Sequence, residues 1–348
     1  MSSRLPAAEH PLSPAAASRE LHPDSLLDLF RALGDMTRLR ILSLLRNMEL
    51  AVGEIASLLD QSQPRVSRHV RLLEDAGFVV RRREGSWVFV RLARETQGAD
   101  LLAVLATMVP SAAEQRVIDR DHNRLGAILK ERDAAAQRFF AAHAHEWDRL
   151  RSLHVADAEV ERAILALLGD RVLGHMLDIG TGTGRMVALL ADHAERVTAV
   201  DRSPEMLRLA RAQLSDVTAP VDLLQGEFVA LPLADGVVNS AVMHLALHYA
   251  QAPERVIAEI ARVLARDGIA IIVDFESHDR EELRSEAAHA RLGFSDAQMR
   301  EWMSAAGLIL DEVRTLSGGA LTVKIWLGRR RRSARAPVAV EQNGKVEA

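Results

Sequence analysis

The stretch from His175 to Gly184, HMLDIGTGTG, limits what this chain can fold into more than any other. Residues suited to a buried strand run into Gly180, Gly182 and Gly184, and the apolar periodicity of a helix resumes at Met186. Glycines at alternate positions let the backbone turn sharply, adopt positive φ and admit a ligand to contact with the main chain. A strand that ends in such a turn and feeds a helix is where an open α/β sheet takes an adenine nucleoside or nucleotide. Further on, Val197 to Asp201 reads as a second strand with an acid at its carboxyl end. From that position a carboxylate accepts hydrogen bonds from ribose hydroxyls.

Alternation of strand and helix signals continues behind this motif. The expected strands are Met176–Gly180, Val197–Asp201, Val221–Gln225, Val238–Met243 and Ile269–Phe275, with helices over Arg185–Asp192, Pro204–Leu214 and Pro253–Ala265 between them. Strands separated by single helices imply a parallel sheet covered on both faces. A helix at Ser295–Ala306 and a late hairpin, Leu308–Arg314 with Leu321–Leu327, would close it. At 348 residues the chain has room for a second domain. It contains no cysteine, which excludes disulfides, thiolate metal sites and cysteine nucleophiles. No apolar run reaches the length of a membrane span and the first residues lack the regions of a signal peptide, so the expected location is cytoplasmic.

The second domain precedes the sheet. Residues 1–22, rich in Ala, Pro and Ser, read as a disordered leader. Helices are expected after Asp24 and after Asp35, the second burying Leu39, Ile41, Leu42, Leu44 and Leu45, and a third covers Gly53 to Leu59. Pro64 sits in a first-turn position of a helix from Arg65 to Ala76 that buries Val66, Val70, Leu72 and Leu73 and stops at Gly77. Phe78–Arg83 and Ser86–Leu92 then form a hairpin. Helix, helix, turn, helix, hairpin is the order of a winged helix-turn-helix. Charge agrees: the net charge of the chain is −4, yet Gln61 to Arg94 holds eight arginines against three carboxylates. Ser62, Gln63, Arg65, Ser67, Arg68, His69 and Arg71 would face a major groove, and Arg82 and Arg83 on the hairpin would meet phosphates or a minor groove.

The segments LGDMTRLRIL (33–42), VGEIA (52–56), QPRVSRHVRLL (63–73) and RREGSWV (82–88) resemble the ArsR/SmtB family of bacterial repressors. The resemblance implies a homodimer that sets two recognition helices on a palindromic double-stranded operator. Arsenic-sensing members carry cysteines near Val52 and Gly53, and this chain has none, so thiolate sensing is ruled out. Asp121, His122, His143, His145 and Glu146 do not match the spacing of the family's zinc sites, and no metal is expected. Residues 98–153 are helix-forming, a linker and dimer contact. Its end, from Gln137 to Asp148, offers two Phe and a Trp, either as packing or as a lid over a ligand.

The spacing GxGxG, with Asp178 inside the strand, Asp201, Leu231 to Leu233, and Glu259 to Leu264 before Asp267 and Gly268, resembles the class I S-adenosylmethionine-dependent methyltransferases. A dinucleotide site would favour GxGxxG instead. The expected architecture is therefore mixed: a winged helix-turn-helix over 23–97 and a Rossmann-like α/β methyltransferase domain over 154–328, followed by a basic disordered tail over 329–348. Carried over, the resemblance places Gly180, Thr181, Gly182 and Gly184 under the methionine and ribose of S-adenosylmethionine. Asp178 orients the amino-acid end, Asp201 holds the ribose hydroxyls, and Arg202, Met206, Glu227 and Phe228 surround the adenine. His244, His248, Tyr249 and His278, at carboxyl ends of strands, are candidate bases for an acceptor that needs one. No signature names the acceptor, a small molecule on this reading. Three uses of the fold follow: a regulator joined to a small-molecule methyltransferase, a regulator whose second domain only senses S-adenosylmethionine or S-adenosylhomocysteine, and a DNA or protein methyltransferase. The last lacks the polar-Pro-Pro-aromatic signature of amino methylation, since Met243 to Ala246 reads MHLA.

Overall fold

A computed structural model describes residues 23–46, 48–94, 96–105, 111–143 and 157–331. The expected leader and the aromatic side chains of the proposed lid lie outside the described residues. Helix α1 (Pro23–Leu33) is followed by α2 (Met36–Leu44), whose start is set by Asp35: its carboxylate accepts from Thr37 N at 2.8 Å and Arg38 N at 3.2 Å. Then come β1 (Leu50–Ala51), α3 (Val52–Leu59), α4 (Gln63–Asp75), β2 (Val79–Glu84) and β3 (Trp87–Leu92). The small sheet has the order β1-β3-β2, all antiparallel, and its hairpin turns at Gly85. Val66, Val70 and Leu73 on α4 are fully buried against Ile41, Ile55 and Leu58. Leu72 and Leu39, expected in this core, are 43% and 41% exposed. At 3.6 residues per turn each falls well to one side of the stripe its helix buries.

Helix α5 (Gln97–Leu105) and the long α6 (Ala112–His143) follow. Part of α6 lies back on α2 and α3. Arg40 donates from Nε and Nη2 to the two oxygens of the buried Asp121 at 2.6 and 2.7 Å, and Arg124 donates to Leu58 O at 3.1 Å. Asp121 is therefore a structural ion-pair partner, and His122 bonds within its own helix to Ile118 O.

The second unit runs α7 (Asp157–Leu168), β4 (Gly174–Ile179), α8 (Arg185–Leu190), β5 (Ala194–Asp201), α9 (Pro204–Gln213), β6 (Val221–Gln225), β7 (Val238–His244), α10 (Pro253–Val263), β8 (Leu264–Phe275), α11 (Glu282–Glu286), α12 (Asp296–Ala305), β9 (Leu308–Leu316) and β10 (Val323–Arg330). Its sheet has the order β6-β5-β4-β7-β8-β10-β9, parallel from β6 to β8, with the expected hairpin antiparallel at the far edge. One apolar cluster joins α7, α8 and α9 to one sheet face, and another joins α10 and α12 to the other. Both faces are covered, as a parallel sheet requires. The strand order reverses at β4, so the crevice for a ligand opens at the carboxyl ends of β4, β5 and β7. Arg329 and Arg330, assigned above to a disordered tail, are the last residues of β10. Arg329 pairs with Asp311 at 3.1 Å, because the hairpin needs two more residues to complete its register.

Candidate functional site

The glycine turn after β4 has φ of +69°, +54° and +90° at Gly180, Gly182 and Gly184, a region L side chains rarely adopt. This turn aims main-chain donors at the neighbouring strand. Gly180 N and Thr181 N donate to Val200 O at 2.8 and 3.1 Å, and Gly182 N donates to Asp201 Oδ2 at 2.9 Å. Ser203 N holds the other oxygen, Oδ1, at 2.8 Å. Each carboxylate oxygen is thus fixed by one backbone bond, leaving further lone pairs for ligand hydroxyls. Burial pushes the Asp201 carboxyl above its ordinary pKa, against the pull of those backbone donors and of Arg202. Asp178 is buried and accepts from Thr181 Oγ1 at 2.6 Å.

These groups line a pocket that also takes in Arg202, Met206 and Phe228. Its walls are mostly apolar with a few directed polar groups, the lining of a small-molecule site. Two expected contacts fall outside it. Gly184 starts α8 and packs on Leu214, where a Cβ would come within 2.9 Å of the leucine side chain. Glu227 is exposed and faces Arg202 at 3.8 Å. Arg185, Leu245 and Ala246 line the cavity although sequence reasoning did not select them.

The four candidate bases lie at and near the ends of β7 and β8. His244 and Tyr249 reach the cavity, and the intervening Leu245 holds φ +49°, an uncommon conformation for a non-glycine residue. His248 does not line the cavity. It is 1% exposed, and its Nδ1 lies 2.8 Å from Oδ1 of Asp274, a fully buried carboxylate. Asp274 also accepts from Phe275 N at 2.7 Å and from His248 N at 3.1 Å. The His248 ring stands 4.0 Å from Tyr249, 4.1 Å from His289 and 5.0 Å from Phe275, centroid to centroid. His278 is also outside the cavity, and burial, helped by the neighbouring His248, pulls its pKa down to about 4. Asp274 and His289 were not expected. An aspartate inside an apolar strand and a histidine 41 residues downstream of His248 share no spacing that a sequence pattern could register.

On α4, Ser62, Gln63, Arg65, Arg68 and Arg71 are exposed, and the three arginines form no ion pair among the described residues. Ser67 is half-buried. His69 sits 3.7 Å from Asp35; burial lowers its pKa, Asp35 opposing and Arg38, Arg65 and Arg68 reinforcing the fall. The wing departs from expectation. Arg83 is exposed, but Arg82 is turned inward, donating to Glu84 at 2.8 Å and Glu49 at 3.2 Å over the Phe89 ring.

The reason is that the wing packs on the second unit. Glu84, 2% exposed, accepts from Arg284 Nη2 at 2.8 Å and from Leu292 N at 2.7 Å. Arg291, 1% exposed, lies over Phe89 and reaches Glu49 at 3.3 Å, while Arg284 covers Trp87. Ser86 donates to Glu281 through N and Oγ, and Arg91 meets Glu301 at 2.9 Å. The turn needs glycine for its φ of +57°, and a Cβ there would displace the Glu281 carboxylate.

Residues 177–272 match the family model described as a methyltransferase domain, and residues 35–80 the model described as bacterial regulatory protein, arsR family. The arsenical resistance operon repressor of Escherichia coli (strain K12) is 46% identical over 68 residues, 19% of this chain and 58% of that protein. A protein of Streptomyces lividans described as "Probable mercury resistance operon repressor" is 38% identical over 108 residues, 27% of this chain and 86% of that protein. The ubiquinone/menaquinone biosynthesis C-methyltransferase UbiE of Rubrivivax gelatinosus is 29% identical over 150 residues, 42% of this chain and 59% of that enzyme. The chain spans 53% to 60% of the length of the arsenic-resistance regulators it matches. A solved S-adenosylmethionine-dependent methyltransferase from Mesorhizobium loti, 16% identical, aligns with 49% of this chain and 97% of its own at a TM-score of 0.43.

Proposed function

The chain belongs to the arsR family of bacterial regulatory proteins through its winged helix and carries a methyltransferase domain behind it; from that premise we propose a DNA-binding regulator whose second domain binds S-adenosylmethionine and methylates a small molecule. The observation that carries the cofactor reading is the Asp201 carboxylate, anchored by Gly182 N and Ser203 N at the lip of the cavity between β4 and β5. That donor set fits a ribose: two fixed acceptor oxygens for two hydroxyls, with Met206 and Phe228 as apolar walls for the adenine and Asp178 for the amino-acid end. When bound, S-adenosylmethionine supplies an electrophilic methyl group on a sulfonium. The protein's part is to align that group with the acceptor, to exclude water, and to take a proton from the acceptor at the ends of β7 and β8. His244 and Tyr249, which line the cavity, are the groups available there; His248 and His278 lie outside it.

Double-stranded operator DNA is the partner of the α4 face, read by a homodimer. Arg68→Ala is expected to weaken operator binding and to lower the slope of log affinity against log salt by about one, with the melting temperature unchanged. Unchanged affinity would move the DNA contact off α4. The function itself is tested by measuring S-adenosylhomocysteine binding calorimetrically and release of labelled methyl product over a metabolite panel. A selected operator duplex is then bound with and without the ligand. Ligand binding with turnover supports the enzyme reading. Ligand-dependent DNA affinity in the absence of any turnover would replace it with a sensor.

A further inference from the structure

The second unit grips the tip of the wing through the groups that a protein uses to grip a DNA phosphate. Those groups are main-chain N–H, hydroxyls and arginines. Ser86 offers the first two, and one carboxylate oxygen takes both: Ser86 N and Oγ donate to Glu281 Oε1 at 2.6 and 2.9 Å. Arg91 on β3 offers the third, donating from Nη2 to Glu301 Oε2 at 2.9 Å. Glu281 caps the start of α11 and Glu301 lies on α12, so both acids belong to the second unit. Their side chains are 35% and 36% exposed, which puts these contacts at the rim of the seam, within reach of water. The rest of the seam is also made of charge. Glu84 and Arg291 form its buried middle with Arg284 beside them, the two guanidinium groups lying over Phe89 and Trp87. No apolar cluster among the described residues joins the two units: one belongs to the winged helix with α5 and α6, and two belong to the large sheet. Polar seams between domains open more readily than apolar ones, since their charged groups regain water.

Resting on the DNA-binding reading of the winged helix, we propose that Glu281 and Glu301 stand in for two DNA phosphates on the wing, so that the second unit is an autoinhibitory partner which DNA must displace. Ser86 has one N–H and one hydroxyl proton, and Glu281 holds both. A phosphate gains the tip only when that carboxylate leaves. Arg91 is committed in the same way, to Glu301 and, at 3.7 Å, to Glu49. The closed form leaves Arg65, Arg68 and Arg71 on α4 and Arg83 on the wing exposed, so first contact with a duplex needs no opening. Full engagement does. The affinity measured for the whole chain is then the intrinsic affinity reduced to the fraction of wings that are open.

The chain has no cysteine, so two introduced thiols are unique. Ser86→Cys combined with Glu281→Cys places a pair across the seam for a short dimaleimide linker to close. Binding is measured to the duplex that the full wild-type chain selects from a random pool. The linked form is expected to bind it at least tenfold more weakly than the same variant with each thiol capped by N-ethylmaleimide. The capped form should also give the steeper plot of log affinity against log salt, by about 0.9 for each arginine that the open wing commits to a phosphate. Equal affinity and slope in the two forms would overturn the proposal, and so would thiols that the linker cannot join. Single replacements test the same contacts without a linker. Glu281→Ala and Glu301→Ala should each raise affinity about two- to fivefold by enlarging the open fraction. Asp222→Ala, which removes the same charge from β6, should leave affinity unchanged. An equal rise in that variant would reduce the effect to net charge and sink the proposal. Failure of the wild type to select any duplex would instead overturn the DNA-binding reading on which it rests.

Discussion

Asp201→Ala is expected to reduce S-adenosylhomocysteine affinity by two orders of magnitude or more. Two ribose hydroxyls donating to a carboxylate contribute about 1.5–3 kcal/mol each, and the sum of about 3–6 kcal/mol corresponds to a hundredfold to more than ten-thousandfold change. Alanine also strips Gly182 N and Ser203 N of their acceptor, loosening the turn that faces the ligand. Asp201→Asn should fall between: its one carbonyl oxygen satisfies one of those donors, while its amide nitrogen confronts the other. Calorimetry gives the affinity directly. A thermal shift gives it again, since ligand at a hundred times its Kd stabilises the native state by about 2.7 kcal/mol, a gain the alanine variant should lose. Wild-type affinity in the alanine variant would place the ligand elsewhere.

Glu84→Ala is the second large effect, and it is one of stability. Glu84 is 2% exposed and lies among Arg82, Arg284 and Arg291, with Leu292 N on one oxygen. Removing one member of a buried charge cluster strands the others, at a cost of about 3–5 kcal/mol. Urea titration of the full chain should show that loss. Asp222→Ala, which removes the exposed pair with Arg196, should change stability by less than about 1 kcal/mol. Equal effects from the two variants would refute the reading of the seam as a buried network. The pH dependence has a definite sign. Burial alone would raise the Glu84 pKa, but Arg291, Arg82 and the Leu292 amide outweigh it and hold the folded value below the ordinary 4.5. Its contribution is complete above pH 4.5 and drains away as pH falls through the depressed folded value. Acid should therefore weaken wild type more than Glu84→Gln.

Much of this molecule is written in local patterns. The strand-turn-helix at Gly180, the Asp201 strand end, the Pro64 helix and the hairpin around Gly85 each depend on residues within a few positions of one another. Sequence spacing registers such features, and here they lie where the spacing placed them. The departures are tertiary. Arg82 reads as a phosphate contact because a basic hairpin in isolation faces solvent; its burial depends on Arg284, Arg291 and Leu292, some 200 residues away. Asn239 carries no signal of its own within its strand, yet its side chain accepts from His175 N at 2.9 Å and sets the start of β4. Asp274 is not legible in the sequence, because an acid inside an apolar strand carries no periodicity and its meaning comes from a histidine on the neighbouring loop.

The inward-facing wing also alters how this protein would experience an ionic solution. A cation that meets a DNA phosphate releases a condensed counterion, and log affinity falls by about 0.9 per such contact for each decade of salt. Arg82 and Arg91 already have Glu49, Glu84 and Glu301 as permanent counterions. They release nothing on meeting DNA unless the wing first leaves its seat. On the proposed DNA-binding reading, Arg65, Arg68, Arg71 and the exposed Arg83 supply the ion exchange while the wing stays seated, and affinity declines gently as salt rises. A wing that has swung out would announce itself as a steeper line.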